Sequence, residues 1–132
     1  MTQQDVVQFW LDKAQDEIDS ATIMFNAGRY LYAGFMCHQA IEKALKGYYI
    51  FLKDERHPQT HNLAKLMEDT LLAEQASEQH KATITKLNPL YIETRYEDYK
   101  NKITNLLTKE YTQLLLDETE ALYQWIVEFT KS

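Results

Sequence analysis

Cysteine, proline and glycine are nearly missing from this chain of 132 residues, and each shortage removes a class of answers. Cys37 is the only cysteine, so neither an intramolecular disulfide nor a zinc site built on several cysteines is possible. Two prolines and three glycines leave little turn chemistry for a many-stranded sheet. The longest unbroken apolar run, "YYIFL" from Tyr48 to Leu52, is far too short to span a bilayer. The segment "MTQQDVVQFW" lacks a basic stretch followed by an apolar one, so the chain is expected to be neither exported nor anchored, and a lone cysteine suits a cytoplasmic protein. Positive charge is also short. A net charge of -6 argues against a broad basic face on duplex DNA and leaves room only for a local anion site.

What is present points to helices. Alanine, leucine, lysine, glutamate and glutamine dominate, and apolar residues at 45% with charged residues at 26% are ordinary for one globular domain covering residues 1–132. A chain of this length buries roughly 70% of its unfolded surface around a single core. From Gln3 to Ala27, Val6, Phe9, Trp10, Ala14, Ile18, Ala21, Met24 and Phe25 recur at helical spacing, with Asp12, Asp16 and Asp19 opposite and Gly28 as the stop. A second helix is expected over about Tyr30 to Lys53, with Ala33, Cys37, Ala40, Ile41, Ala44, Tyr48 and Leu52 along one stripe, folded back on the first as an antiparallel hairpin. Pro58 makes "DERHPQT" a loop, Thr60 is placed to cap a third helix in "HNLAKLMEDTLL", and a fourth runs from about Ser77 to Leu87 before Asn88-Pro89. The last begins near Thr108 with Tyr111, Leu114, Leu115, Leu122, Trp125 and Phe129 on one face.

The second helix carries an unusual mixture. In "CHQAIEKALKGYY", His38 with Glu42, Glu42 with Lys46, and Gln39 with Lys43 are i,i+4 pairs that form a polar ladder. Phe35, Tyr49 and Ile50 fall on the same side, so the helix has no wholly polar face. Burial on two sides is expected, one in the bundle and one against a partner, with the ladder lining a cleft or a dimer seam.

Four pieces of the chain carry a family resemblance: Trp10-x3-Ala14, "HQAIEKALKG" from His38 to Gly47, "HPQTHNL" from His57 to Leu63, and "LYIETRY" from Leu90 to Tyr96. Together they make the chain similar to the HEPN family of small helical domains over nearly its whole length. The resemblance implies an all-α antiparallel bundle of four to five helices running up and down, and pairing as a homodimer. It further implies a minimal nucleotidyltransferase as partner, in the manner of a toxin and its antitoxin. His38, Gln39, Glu42 and His61 are its signature polar residues here. One branch of that family consists of metal-independent ribonucleases, marked by an arginine followed after four to six residues by a histidine. Arg95 matches the arginine, but all four histidines, His38, His57, His61 and His80, lie upstream of it. Arg95 is thus a candidate without its usual proton-transfer partner.

A phosphate-directed site would use Lys43, Lys46 and Arg95, arginine as a bidentate fork and lysine as a point charge, on a nucleotide or an RNA. Tyr96 opens "YEDYKNK", whose aromatic and charged residues could stack on a single strand, although the stretch otherwise reads as an exposed loop. His57 and His61 are separated by Pro58 and lack a carboxylate pair, which makes them loop and cap residues rather than metal ligands; no metal and no cofactor is expected. Glu118 falls between Leu115, Leu122 and Trp125, where a buried carboxylate would want a cation, and a solvated helix edge is the simpler expectation. The alternatives to a nucleotidyltransferase partner are a ribonuclease toxin and a structural helical adaptor.

Overall fold

A computed structural model describes residues 1–91 and 97–131. Among them, six α-helices account for the architecture, and the first is set by its ends. α1 (Gln3–Asn26) opens with a capping box in which Thr2 Oγ1 accepts from the Asp5 amide at 3.1 Å and Asp5 Oδ2 accepts from the Thr2 amide at 3.1 Å. It stops at Gly28, whose φ of 76° lets the Gly28 amide reach the Phe25 carbonyl and the Arg29 amide the Met24 carbonyl. α2 (Tyr30–Lys53) follows at once. The two helices pair antiparallel: Gln3 donates to the Ile50 and Phe51 carbonyls, Trp10 lies on Gly47, and Lys43 meets Glu17.

The remaining helices close around α2. α3 (Leu63–Asp69), a 3-10 turn at Leu72–Glu74 and α4 (Glu78–Leu87, capped by Ser77) lead to a second 3-10 turn at Asn88–Tyr91. α5 (Glu97–Leu106) and α6 (Lys109–Glu128, capped by Thr108) complete the chain. α6 runs parallel to α2, placing Cys37 beside Thr119 and Tyr48 beside Phe129. It runs antiparallel to α1, where the Tyr123 hydroxyl donates to the Leu11 carbonyl at 3.1 Å, and to α4, where His80 meets Trp125 and Lys86 meets Glu118. The long helices α1, α2, α4 and α6 therefore alternate up and down, around a core of Ile41, Leu45, Leu63, Leu66, Leu87, Leu115, Leu122 and Ile126. Burial pushes the Cys37 thiol up to about 12, so it stays protonated and unreactive. No helix among the described residues is long and apolar enough to cross a membrane.

Several expectations change. Asn62, not Thr60, caps α3 by accepting from the Lys65 amide, while Thr60 Oγ1 accepts from the Asn62 amide one step earlier in the loop. α3 is short because Leu71 takes a left-handed φ of 63°. "YEDYKNK" lies largely in α5 rather than in a loop: Ile103 and Leu107, an i,i+4 pair just beyond that stretch, pack on the core and give the segment an apolar side. Phe9, Leu52 and Leu114 are exposed, since each sits at the margin of its stripe. Glu118 is not on a solvated edge. Its side chain is 11% exposed, and both carboxylate oxygens accept from Lys86 Nζ at 3.0 Å while Oε1 also takes the Thr83 hydroxyl at 3.2 Å.

The α1–α2 contact is close enough to exclude side chains. A Cβ at Gly47 would stand 3.0 Å from Trp10 Cβ, an atom fixed to its own backbone. Gly47→Leu is therefore expected to lower the unfolding free energy by at least about 1 kcal/mol through overpacking, despite the roughly 1 kcal/mol that replacing glycine gains inside a helix. Urea denaturation checks this, and an unchanged or raised midpoint would contradict it.

Candidate functional site

The polar ladder of α2 divides between two edges, and both are covered by the chain itself. On one edge Lys43 Nζ bonds Glu17 of α1 and also donates to Gln39 Oε1 at 3.3 Å. On the other, His38, Glu42 and Lys46 lie beneath the 57–62 loop. The ladder is thus neither solvated nor open, and the partner expected from Phe35, Tyr49 and Ile50 on that side of α2 is not required to cover it.

Glu42 is the hub of the second edge. One carboxylate oxygen, Oε2, accepts from Lys46 Nζ at 2.8 Å, and the other, Oε1, accepts from His61 Nδ1 at 2.8 Å. Glu42 and Lys46 keep only 12% and 8% of their side chains exposed, whereas His61 keeps 67%. His38, 1% exposed, stands one turn back and donates through Nε2 to the His61 carbonyl at 3.0 Å. A carbonyl only accepts, so Nε2 carries the hydrogen, and in the neutral ring Nδ1 is a bare lone pair, buried without a hydrogen-bond partner among the described residues and 3.9 Å from Glu42 Oε1.

These contacts decide the charges. Burial pushes the Glu42 carboxyl up, but the bonds from Lys46 and His61 outweigh it and hold the group below its usual range, so it is ionised near neutrality. Burial takes His38 down to about 4 against a smaller opposing pull from Glu42, and its ring is neutral. His61 must carry its hydrogen on Nδ1, because the carboxylate can only accept. Its Nε2 therefore offers a lone pair when the ring is neutral, and no group among the described residues bonds it.

The loop that delivers His61 is fastened at both ends. His57 packs edge-on against Trp10 with ring centroids 4.9 Å apart. Asn88 Oδ1 accepts from the Leu63 amide at 2.8 Å and Asn88 Nδ2 donates to Asn62 Oδ1 at 3.1 Å, which ties the start of α3 to the 88–91 turn. That turn places the Tyr91 ring against both His61, 5.6 Å between centroids and 24° between planes, and His38 at 5.5 Å. Tyr91 is 37% exposed, so the stacked pair presents an aromatic face with one free imidazole nitrogen.

Of the residues singled out from the sequence, the structure gathers His38, Glu42, Lys46 and His61. It sets Gln39 and Lys43 on the opposite edge, against α1, so Lys43 and Lys46 each have an anionic partner instead of a shared ligand. Arg95 and Tyr96 lie outside the described residues. Tyr91 belongs to the "LYIETRY" piece but was not among the site residues expected; its role rests on contacts with His61 and His38, 30 and 53 residues upstream. Among the described residues, no group of three or more histidine, cysteine or carboxylate side chains is arranged to hold a metal ion.

Comparison with known proteins agrees with this geometry. The family profile described as the HEPN domain matches residues 7–130. The crystal structure of TT1696 from Thermus thermophilus superposes with a TM-score of 0.77 at 24% identity, covering 93% of this chain and 97% of that one. ST0689, described as an archaeal HEPN homologue, gives a TM-score of 0.75 at 22% identity, covering 95% and 98%. No curated protein sequence matches.

His38 gives the site a pH signature. The unfolded imidazole takes a proton near 6.5 and the folded one only near 4, so between those values the unfolded state binds more protons and stability falls as pH falls. The contribution is complete above about pH 6.5, and its slope reaches about 1.4 kcal/mol per pH unit within the window. His38→Gln keeps an amide hydrogen for the His61 carbonyl and removes the titration. Thermal denaturation from pH 7 to 4 should show a shallower decline for the variant than for wild type, and identical slopes would contradict the assignment.

Proposed function

This chain belongs to the HEPN domain family, and from that premise we propose that it works as a homodimeric binding partner of a minimal nucleotidyltransferase, contacting a nucleotide or an RNA. The observation that carries the ligand half of this reading is the His61–Tyr91 face, held on the buried Glu42–Lys46 pair. An exposed stacked ring pair suits a nucleobase, which any aromatic face can stack and an imidazole nitrogen can hydrogen-bond. Arg95 follows Tyr91 by four residues in sequence and supplies a guanidinium for a phosphate. Lys43 and Lys46 contribute less than their charge suggests, because Glu17 and Glu42 already neutralise them. The dimer rests on family membership rather than on an uncovered face of α2.

One observation favours a second reading. A ribonuclease needs a group to move the 2′-hydroxyl proton, and the family motif lacks its histidine after Arg95. His61, with Nδ1 held by a carboxylate and Nε2 free, has the arrangement of a general base. It would remove the 2′-hydroxyl proton as that oxygen attacks phosphorus and the 5′-oxygen leaves with a proton taken from water, yielding a cyclic phosphate and a 5′-hydroxyl. This is the toxin alternative in concrete form.

Both readings meet in one set of measurements on purified protein. Sedimentation at micromolar concentration is expected to give twice the chain mass, and Arg95→Ala is expected to weaken RNA binding at least tenfold with the helical spectrum unchanged. Cleavage should be absent or at least about 100-fold slower than in family members with the full motif. A monomer that binds neither RNA nor a co-expressed nucleotidyltransferase would leave the adaptor. Vigorous metal-independent cleavage lost in both Arg95→Ala and His61→Ala would establish the ribonuclease instead.

A further inference from the structure

α1 and α6 meet along a seam that holds an apolar groove of about 290 Å³. Ile18, Phe25 and Leu116 line it, with Ile18 and Leu116 buried, and Asn26, Asp117 and Glu120 line it beside them. The volume lies at the lower limit of small-molecule sites, which run from roughly 300 to 1,000 Å³, and suits a long side chain better than a cofactor.

The two walls carry charge of one sign. From Ala14 to Gly28 and from Glu110 to Thr130 the chain has no lysine, arginine or histidine, so these stretches supply only carboxylates. Glu17, Glu118 and Glu128 are already used, by Lys43, Lys86 and Lys131. Asp117 and Glu120 have no ion pair among the described residues. Each gives one oxygen to a neutral amide, Asp117 Oδ1 to Gln113 at 3.1 Å and Glu120 Oε1 to Gln124 at 3.3 Å, and keeps the other. Three apart on one helical face, they repel each other until a cation joins them. Asn26 ends α1, whose last turn holds no basic residue, so the negative end of that helix dipole adds to the field. The field crosses the seam: the Tyr123 hydroxyl is pushed up first by burial and then by Asp12, Glu120 and Asp19.

We propose that this groove receives a basic segment of a partner protein, with an arginine laid across Leu116 and Phe25 and its head between Asp117 and Glu120. An apolar floor beside unpaired carboxylates complements a side chain whose stem covers apolar surface while its charged end stays at the edge. The guanidinium fork can serve two carboxylates and lie against an aromatic ring, which a free polyamine, with charge but no fork, cannot do. The groove uses none of His61, Tyr91 or Arg95, so it stands or falls apart from the function proposed above.

Titration of the ¹⁵N-labelled protein, followed by amide NMR shifts, tests this with an alanine-based helical peptide carrying two arginines four residues apart, with its glutamine counterpart and with spermine. The arginine peptide is expected to shift amides around Phe25 and Leu116 saturably in about 0.15 M salt, and the glutamine peptide is not. Asp117→Asn/Glu120→Gln should weaken the arginine peptide at least tenfold with an unchanged helical spectrum. Glu110→Gln, an exposed carboxylate of α6 that does not line the groove, should bind as wild type does. Spermine binding as tightly as the arginine peptide would overturn the partner-segment assignment. No saturable shift, equal binding by the double variant, or an equal loss in Glu110→Gln would overturn the groove as a site.

Discussion

A carboxylate set into the central helix of a bundle has to be compensated, and the way Glu42 is compensated organises much of what surrounds it. Isolated burial of an ionised carboxyl costs several kcal/mol, so the group demands a cation and further donors. Lys46, one turn along, supplies the cation; no residue of α2 supplies the second donor. His61 does, from a loop 19 residues away, and to reach Glu42 that loop must close over α2. Once closed, its carbonyl takes the hydrogen of His38, its end is tied through Asn62 to Asn88, and the 88–91 turn brings Tyr91 against both histidines.

This chain of contacts explains why α2 can be so polar and so buried at once. Its ladder is not a solvated stripe but two separate joints, Lys43 with Glu17 of α1 and Glu42 with the 57–62 loop. Each joint fixes the register of the element it meets. The same logic holds on the far side of the bundle, where Glu118 of α6 is met by Lys86 and Thr83 of α4. Buried ion pairs of this kind add little net stability compared with apolar packing, but removing one member is severe, so they serve better as register pins than as sources of stability.

The helices were readable from the sequence where their signals are local. Periodicity gave α1, α2 and α6, and Gly28 marked the end of α1, Ser77 the start of α4 and Thr108 the start of α6 through backbone chemistry confined to a few residues. What depends on distant partners was not readable. Asn62 rather than Thr60 caps α3 because Asn88, 26 residues on, holds Asn62 in place. α5 becomes a helix because Ile103 and Leu107 find the core, although the stretch before them looks like a loop. The polar members of the site stood out in the sequence as a ladder, but their division between two edges, and the stacking of His61 on Tyr91, are tertiary facts with no local trace.

Glu42 is therefore the pin of the 57–62 loop, and equilibrium denaturation of Glu42→Gln at pH 7 tests that role most directly. The variant keeps the shape of the side chain while leaving Lys46 buried without an anion, and a loss of about 3 kcal/mol is predicted. A loss below about 0.5 kcal/mol, the range of an exposed pair, would contradict the claim that this carboxylate holds the site together.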